Sequence, residues 1–238
     1  MGDFLTGDWG LGPEGREALA LSLRVALWST LWALPPAVGV AMLLARGRFP
    51  GRALLNGAVH LPLVLPPVAT GYLLLVLFGR RGPVGGWLEE SFGLVLAFRW
   101  TGAALAAAVM SFPLMVRAIR LAIEAVDPKL EQAAATLGAP RAAVFALVTL
   151  PLILPGVLAG AVLGFARAMG EFGATITFVS SIPGETRTLP AAIYAFLQTP
   201  GGEGPALRLV AVSVAVSMAA LLVSEALAAR VARRVGGA

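Results

Sequence analysis

The chain has 238 residues, of which 58% are hydrophobic and only 13% are charged, and its mean hydropathy is +0.85. A soluble domain carries about twice that share of charged residues, so the composition excludes a soluble protein and indicates a membrane protein with several spans in one domain. The net charge of +5 comes almost wholly from arginine, and no loop joins a basic run to stacking aromatic side chains, so the charge indicates membrane topology and argues against nucleic-acid binding.

The N-terminal segment, residues 1–17, is rich in glycine and mildly acidic, and it lacks the basic start of a signal peptide. Five apolar segments follow, each long enough to cross a bilayer. They cover about residues 18–45, 53–78, 101–121, 143–169 and 206–229. Prolines interrupt the first four and predict bends with free backbone carbonyls inside the bundle. We therefore expect an all-α, polytopic membrane helical bundle of five transmembrane helices, or of six if a further crossing lies at the N-terminal end.

A short amphipathic helix is predicted between the third and fourth apolar segments. Asp127 suits the N-cap and Pro128 the first helical position, while Gly138 followed by Pro140 indicates the C-terminal stop. About ten residues at 1.5 Å each give a rod of roughly 15 Å, which is too short to cross a bilayer. Its apolar side holds Leu130, Ala133, Ala134 and Leu137. Two interpretations fit such a helix: it docks into a groove on another protein, or it lies in the membrane interface.

Basic residues are distributed unevenly between the loops. Three loops, at 46–52, 117–141 and 230–238, together hold ten of the eighteen basic residues. Most of the acidic residues lie on the other side, which covers more of the chain. The positive-inside rule therefore places these three loops in the cytoplasm, with the N-terminus outside and the C-terminus inside. On this prediction the short helix is cytoplasmic.

Three glycines in the fourth apolar segment, Gly156, Gly160 and Gly164, are spaced by four and form a small-xxx-small row that lets two helices approach closely. This helix seam lies either at the pore between two copies of the chain or within one subunit. Two polar residues elsewhere receive structural interpretations. Arg24 in the first segment is expected to extend to the membrane surface, and His60 to form a hydrogen bond within its helix.

Polar side chains follow the fourth segment, in a region, 170–205, that we expect to be external and partly re-entrant, with a short helix over 189–198. Arg167 and Glu171 are four residues apart and can pair. With the flanking glycines and two threonine hydroxyls, the pair marks a place where a polar solute meets the bundle; the alternative is a purely structural salt bridge. The candidate pathway residues here are Gly170, Glu171, Phe172, Gly173, Thr175 and Thr177.

Motifs that indicate catalysis are missing from the sequence. There is no Gly-x-x-x-x-Gly-Lys-Ser/Thr, so the chain has no phosphate loop with which to bind ATP. There is no His-Glu-x-x-His and no Gly-x-Ser-x-Gly, there is no cysteine, and a single histidine cannot build a metal site alone. We therefore predict no catalytic residues, no metal site and no cofactor, in a protein that is not itself an enzyme.

The short helix and the segment after it resemble a known pattern. Gly138, nine further residues and then 148–151 (VTLP) are similar to the EAA loop of ABC importer permeases, in which Glu-Ala-Ala, three residues, Gly, nine residues, Ile, one residue and Leu-Pro follow one another. The glutamate position holds Gln132, with Glu131 one residue earlier, and the resemblance leaves open which of them makes the polar contact. It implies that the helix docks into a cleft of a cytoplasmic ATPase. The residues implied in coupling are Asp127, Leu130, Glu131, Gln132, Ala133, Ala134, Leu137 and Gly138.

Further segments, spread over about residues 18–230, resemble molybdate ABC importer permeases. They are 60–68 (HLPLVLPPV), 78–82 (FGRRG), 110–120 (MSFPLMVRAIR), 170–175 (GEFGAT) and 182–187 (IPGETR). Ser111 and Pro113, in the third of these segments, are added to the pathway candidates. Sulfate and thiosulfate permeases share the general layout and remain the alternative substrate class.

The resemblance implies a type I ABC importer permease fold, with the permease domain over 18–230, the coupling loop over 124–156 and a cytoplasmic tail over 231–238. It implies a homodimer in the lipid bilayer of the cell membrane, bound to two ABC ATPase subunits that hold Mg-ATP and served by an extracytoplasmic molybdate-binding protein. The implied function is import of molybdate or tungstate by alternating access. An ion-coupled secondary transporter is the less favoured alternative, because the ionisable residues cluster at the ends of the spans.

Overall fold

Helices make up the whole architecture that the computed structural model describes, which covers residues 11–236 and contains no strand. They are α1 (Gly12–Arg46), α2 (Arg52–Val64), α3 (Pro67–Phe78), α4 (Pro83–Phe92), α5 (Trp100–Ala125), α6 (Pro128–Thr136), α7 (Arg141–Met169), α8 (Gly173–Val179), α9 (Leu189–Leu197) and α10 (Glu203–Gly236). Four of these helices are long and apolar enough to cross a membrane, and a fifth crossing is added if the bent pair α2–α3 is one span. The predicted all-α bundle of five spans is confirmed.

The centre of the bundle is α5, which packs along both α1 and α7. Its buried first half carries small side chains such as Ala103 and Ala107, so the neighbouring helices can approach it closely. Larger side chains such as Met115 and Ile119 fill the core toward the end that carries α6. At the opposite end, Arg24 places its guanidinium 3.8 Å from the centre of the Trp100 ring, a cation–π contact that holds this charge against the start of α5.

The second apolar segment, predicted over 53–78 with bends at its prolines, consists of two helices. It breaks at Leu65 and Pro66 into α2 and α3, whose axes differ in direction by 114°. Pro66 and Pro67 have no N–H to continue the helical hydrogen bonds, and the residue before a proline prefers the extended backbone that Leu65 adopts (ψ 144°). Because α2 packs on the core near α6 and α3 packs on the core at the opposite end, the bent pair traverses the bundle.

The region after α7 contains two short helices. The helix predicted over 189–198 is confirmed as α9, which packs on α10 and α1. The other, α8, packs on α3 so closely that a methyl group at Gly71 would lie 2.5 Å from the Ala174 carbonyl oxygen. Both helices therefore belong to the packed bundle.

The chain ends differ from the predicted boundaries. Helix α1 begins at Gly12, inside the segment predicted as 1–17, and residues 1–10 lie outside the described part of the chain. Helix α10 continues past 230, where the tail 231–238 was predicted to begin, as far as Gly236, and the last two residues again lie outside the described part. Within residues 11–236 there is no sixth crossing.

Candidate functional site

The short helix α6 is capped at both ends. Asp127 Oδ1 accepts a hydrogen bond from the Lys129 N–H at 2.9 Å, and Pro128 occupies the first turn. At the other end, Gly138 has φ +86° and donates its N–H to the Ala135 carbonyl, while Ala139 donates to Ala134, which is the Schellman arrangement. The predicted caps are therefore confirmed. They satisfy backbone groups that an isolated helix of nine residues leaves open, and so keep it formed with little packing.

Most of the surface of α6 is free of the bundle. None of its residues is buried, and it packs mainly on the start of α7. Leu130 and Leu137 are 48% and 89% exposed, and with Ala133 they form one flank of the helix, which we call the apolar flank. Leucine side chains in water gain most by insertion into a groove of another protein, so this flank suits a partner.

Glu131 joins α6 to the bundle. Its Oε1 accepts a hydrogen bond from Thr149 Oγ1 at 2.8 Å and lies 3.7 Å from an Arg46 guanidinium nitrogen. The same Arg46 nitrogen donates to the Val126 carbonyl at 3.0 Å. We call this group of four residues the Glu131 anchor. It connects α6 with the end of α1, the linker after α5, and α7.

Glu131 and Gln132, the two candidates for the polar contact with a partner, differ in their surroundings. Glu131 is directed into its own chain, whereas Gln132 is exposed and available to a partner. Arg46 and Thr149 were not predicted as site residues, because Arg46 lies in a loop that indicates only topology and Thr149 occupies a variable position of the EAA-like pattern. Thr149 ends a π-helical turn, Phe145–Thr149, and such turns often lie at functional positions.

The polar pathway candidates near α8 make contacts within their own chain. Glu171 is 2% exposed, and its Oε2 lies 2.7 Å from an Arg167 guanidinium nitrogen while Oε1 accepts from the Ala174 N–H at 2.8 Å. The hydroxyls of Thr175 and Thr177 donate to carbonyls of their own helical turns. Of the two interpretations offered for the pair, this geometry favours the structural salt bridge, which here also caps α8.

The remaining pathway candidates are spread over different environments. Ser111 is buried and donates to the Ala108 carbonyl at 3.2 Å, and Pro113 is buried two residues further along α5. Gly170 is exposed, Gly173 packs against Pro67, and the Phe172 ring lies 5.3 Å from that of Tyr194. Within the described part of the chain, these residues do not form one polar channel through a single subunit.

The glycine row faces α5 of the same chain. A methyl group at Gly156 would overlap the Cβ of Ala122, and one at Gly164 would lie 2.6 Å from Met115 Sδ. A methyl group at Gly160 would lie 3.1 Å from Ile119 Cγ1. Of the two predicted positions for the seam, the structure therefore has the one within a single subunit.

Gly156→Ala is expected to destabilise the bundle by about 1–3 kcal/mol, because α5 and α7 must separate to admit the methyl group. The measurement is unfolding in detergent micelles, followed by circular dichroism. Gly39→Ala is the matched control, since that position is helical and has nothing within 4 Å of an added methyl group. Equal stability of the two variants would contradict the close α5–α7 packing.

Comparison with known proteins gives a consistent result. Residues 37–236 match the family described as binding-protein-dependent transport system inner membrane component. The chain is 61% identical to the molybdenum transport system permease protein ModB of Escherichia coli K12, over 93% of this chain and 96% of that protein. The protein of the same name from Haemophilus influenzae is 58% identical, over 92% and 96% of the two chains. The sulfate transport system permease protein CysT of Escherichia coli K12 is 38% identical, over 83% and 71%.

The fold also resembles a solved structure. A chain from the crystal structure of a bacterial alginate ABC transporter, in complex with an alginate pentasaccharide-bound periplasmic protein, aligns with a TM-score of 0.71. The alignment covers 98% of this chain and 82% of that chain at 18% sequence identity. At that identity the likeness concerns the arrangement of the helices alone.

Proposed function

The chain belongs to the family of binding-protein-dependent transport system inner membrane components, and from that premise we propose that it is the permease subunit of an ABC importer for molybdate. Relatives named as molybdenum permeases are 61% and 58% identical, whereas a sulfate permease is 38% identical, which supports molybdate over sulfate. Tungstate, a tetrahedral dianion like molybdate, is the expected second substrate.

The observation that carries the proposal is the construction of α6. It is a capped rod that exposes an apolar flank to a partner and is joined to two spans by the Glu131 anchor. A separate ATPase that grips the flank can therefore move the spans, as alternating access requires. ATP hydrolysis is assigned to that partner, with two ATPase subunits for two copies of the permease.

The distribution of arginine supports an orientation with α6 in the cytoplasm. The α6 end of the bundle carries Arg46, Arg48, Arg52, Arg117, Arg120, Lys129 and Arg141. The opposite end is richer in acidic residues, and the positive-inside rule then places it outside. In this orientation the start of α1 is extracytoplasmic, α10 runs toward the cytoplasm, and a binding protein that carries molybdate meets the outer end.

The hydrogen bonds of the polar side chains support a transport pathway between two copies of the chain. Ser111, Thr175 and Thr177 all donate to backbone carbonyls, so in the described residues they do not offer a hydrophilic route through one bundle. Two copies facing each other can enclose a route that neither contains alone. We assign the choice of oxyanion to the binding protein, because a pathway that bound the ion tightly would release it slowly.

The test is transport in proteoliposomes that contain this chain, the ATPase and the binding protein. We expect uptake of radiolabelled molybdate that requires ATP on the α6 side and the binding protein on the other, with no requirement for a proton or sodium gradient. Sulfate is expected to compete only at much higher concentration.

Two outcomes would contradict the proposal in different ways. Uptake by this chain alone, driven by an ion gradient, would identify a secondary transporter. Equal ATP-driven uptake of sulfate and molybdate would support the alternative substrate class. Vesicles that contain an ATPase variant unable to hydrolyse ATP give the background level of uptake.

A further inference from the structure

A cleft between α2 and α5, near the α6 end of the bundle, carries several basic side chains. It consists of two adjoining cavities of about 360 and 260 Å³ that share Asn56 and Arg120. Its charged and polar side chains are Arg52, Asn56, His60, Arg117, Arg120 and Glu124. Neither the apolar flank nor the Glu131 anchor contributes to this lining, so the cleft is a separate feature.

Contacts within the chain hold several of these side chains in place. Arg120 donates from Nε to Glu124 Oε1 at 2.8 Å and from a terminal nitrogen to Asn56 Oδ1 at 3.1 Å. Arg52 donates twice to the Leu44 carbonyl, at 2.9 and 2.6 Å. His60 Nδ1 lies 2.8 Å from the Asn56 carbonyl oxygen. Arg52, His60 and Arg120 are therefore held in place before any ligand arrives, which lowers the entropic cost of binding.

The charge of the cleft fits a dianion. Three guanidinium groups and one carboxylate line it, which leaves a net charge of +2 when His60 is neutral. Like charges brought together at the edge of a membrane repel one another, and a bound anion removes that repulsion. Guanidinium donors form paired hydrogen bonds with the oxygens of tetrahedral oxyanions more readily than with a spherical anion.

The polar side chains of the cleft extend along α2. Arg52 begins this helix and His60 lies eight residues further along it, which is about 12 Å at 1.5 Å per residue.

We propose that this cleft binds a tetrahedral oxyanion. The two sources of that chemistry are the transported ion after it leaves the pathway, and the phosphate group of a phospholipid. The first rests on the proposed function, since it requires molybdate to reach the α6 end of the bundle; the second does not.

The experiment measures equilibrium binding of radiolabelled molybdate to the assembled permease–ATPase complex, without nucleotide or binding protein, in nanodiscs of phosphatidylcholine. We expect Arg117→Gln to weaken binding about tenfold, which is the loss of one charge-assisted hydrogen bond. Arg117 is exposed, so this variant is expected to fold. Arg120→Gln is the second variant, and Arg99→Gln, at the exposed start of α5, is the matched control.

A second arm uses nanodiscs that contain phosphatidylglycerol, with retained lipid identified by native mass spectrometry. Phosphatidylglycerol held by the original chain and lost from both variants would establish the oxyanion site with phospholipid as its source. Unchanged molybdate binding together with unchanged lipid retention in Arg117→Gln and Arg120→Gln would overturn the proposal. Failure of ATP-driven uptake by the unaltered complex in proteoliposomes would overturn the proposed function instead, and that assay is independent of the binding measured in nanodiscs.

Discussion

Replacing Leu130 and Leu137 together by glutamate is expected to detach the ATPase from the permease and to abolish uptake. Leu137 is 89% and Leu130 48% exposed on the apolar flank, so the substitution removes little packing from the bundle. An apolar anchor lost from the centre of an interface costs roughly 2 kcal/mol, and two such losses weaken the complex about a hundredfold to a thousandfold. The measurement is co-purification of the ATPase with the permease, together with molybdate uptake in proteoliposomes.

Ala135→Glu is the matched control. Ala135 is exposed on the same helix but lies on the other side from the apolar flank, so this variant adds one glutamate to α6 without loss of an anchor. We expect this variant to retain the ATPase. If the double glutamate variant also retained the ATPase and its uptake, the apolar flank would not be the docking surface, and the interpretation of α6 as a helix of the membrane interface would be favoured.

The sequence predicted α6 well because its ends are determined locally. Asp127 with Pro128 and Gly138 with Pro140 each act within one turn of the helix, so their effect is visible without tertiary structure. The five apolar segments are equally local, since composition alone decides whether a segment can lie in a bilayer. In segment 53–78 the consecutive prolines predict a bend, but its size of 114° depends on the surfaces on which α2 and α3 pack.

The Glu131 anchor and the basic cleft were beyond the reach of the sequence. Arg46 and Glu131 lie far apart along the chain, and no spacing rule joins the end of one span to a loop between two others. The same holds for Asn56 and Arg120. The pairing of Arg167 with Glu171, in contrast, could be predicted, because the two residues are separated by four positions and lie on one helix face. What their pairing does, namely capping α8 inside the bundle, became visible only with the fold.

Glu131→Ala is expected to uncouple ATP hydrolysis from transport while the ATPase remains bound. The substitution removes the hydrogen bond with Thr149 and the ion pair with Arg46, and leaves the apolar flank intact. The loss of a partly buried contact of this kind costs about 1–3 kcal/mol and is local to the junction between α6 and the spans. The rod can then move with the ATPase without moving α1 and α7, so fewer ions are transported for each ATP hydrolysed.

Two readouts separate this effect from a loss of docking. The ratio of molybdate imported to ATP hydrolysed is expected to fall in Glu131→Ala, and hydrogen–deuterium exchange over 128–136 is expected to rise by roughly tenfold, which corresponds to about 1.4 kcal/mol. Gln132→Ala is the matched control, because Gln132 is exposed: exchange in α6 should stay unchanged there. When Thr149→Val is combined with Glu131→Ala, exchange in α6 should rise little further, since both substitutions remove the same hydrogen bond. An unchanged ratio in Glu131→Ala would mean that the spans follow α6 through the covalent chain alone, and that the anchor serves only to hold the loop in place.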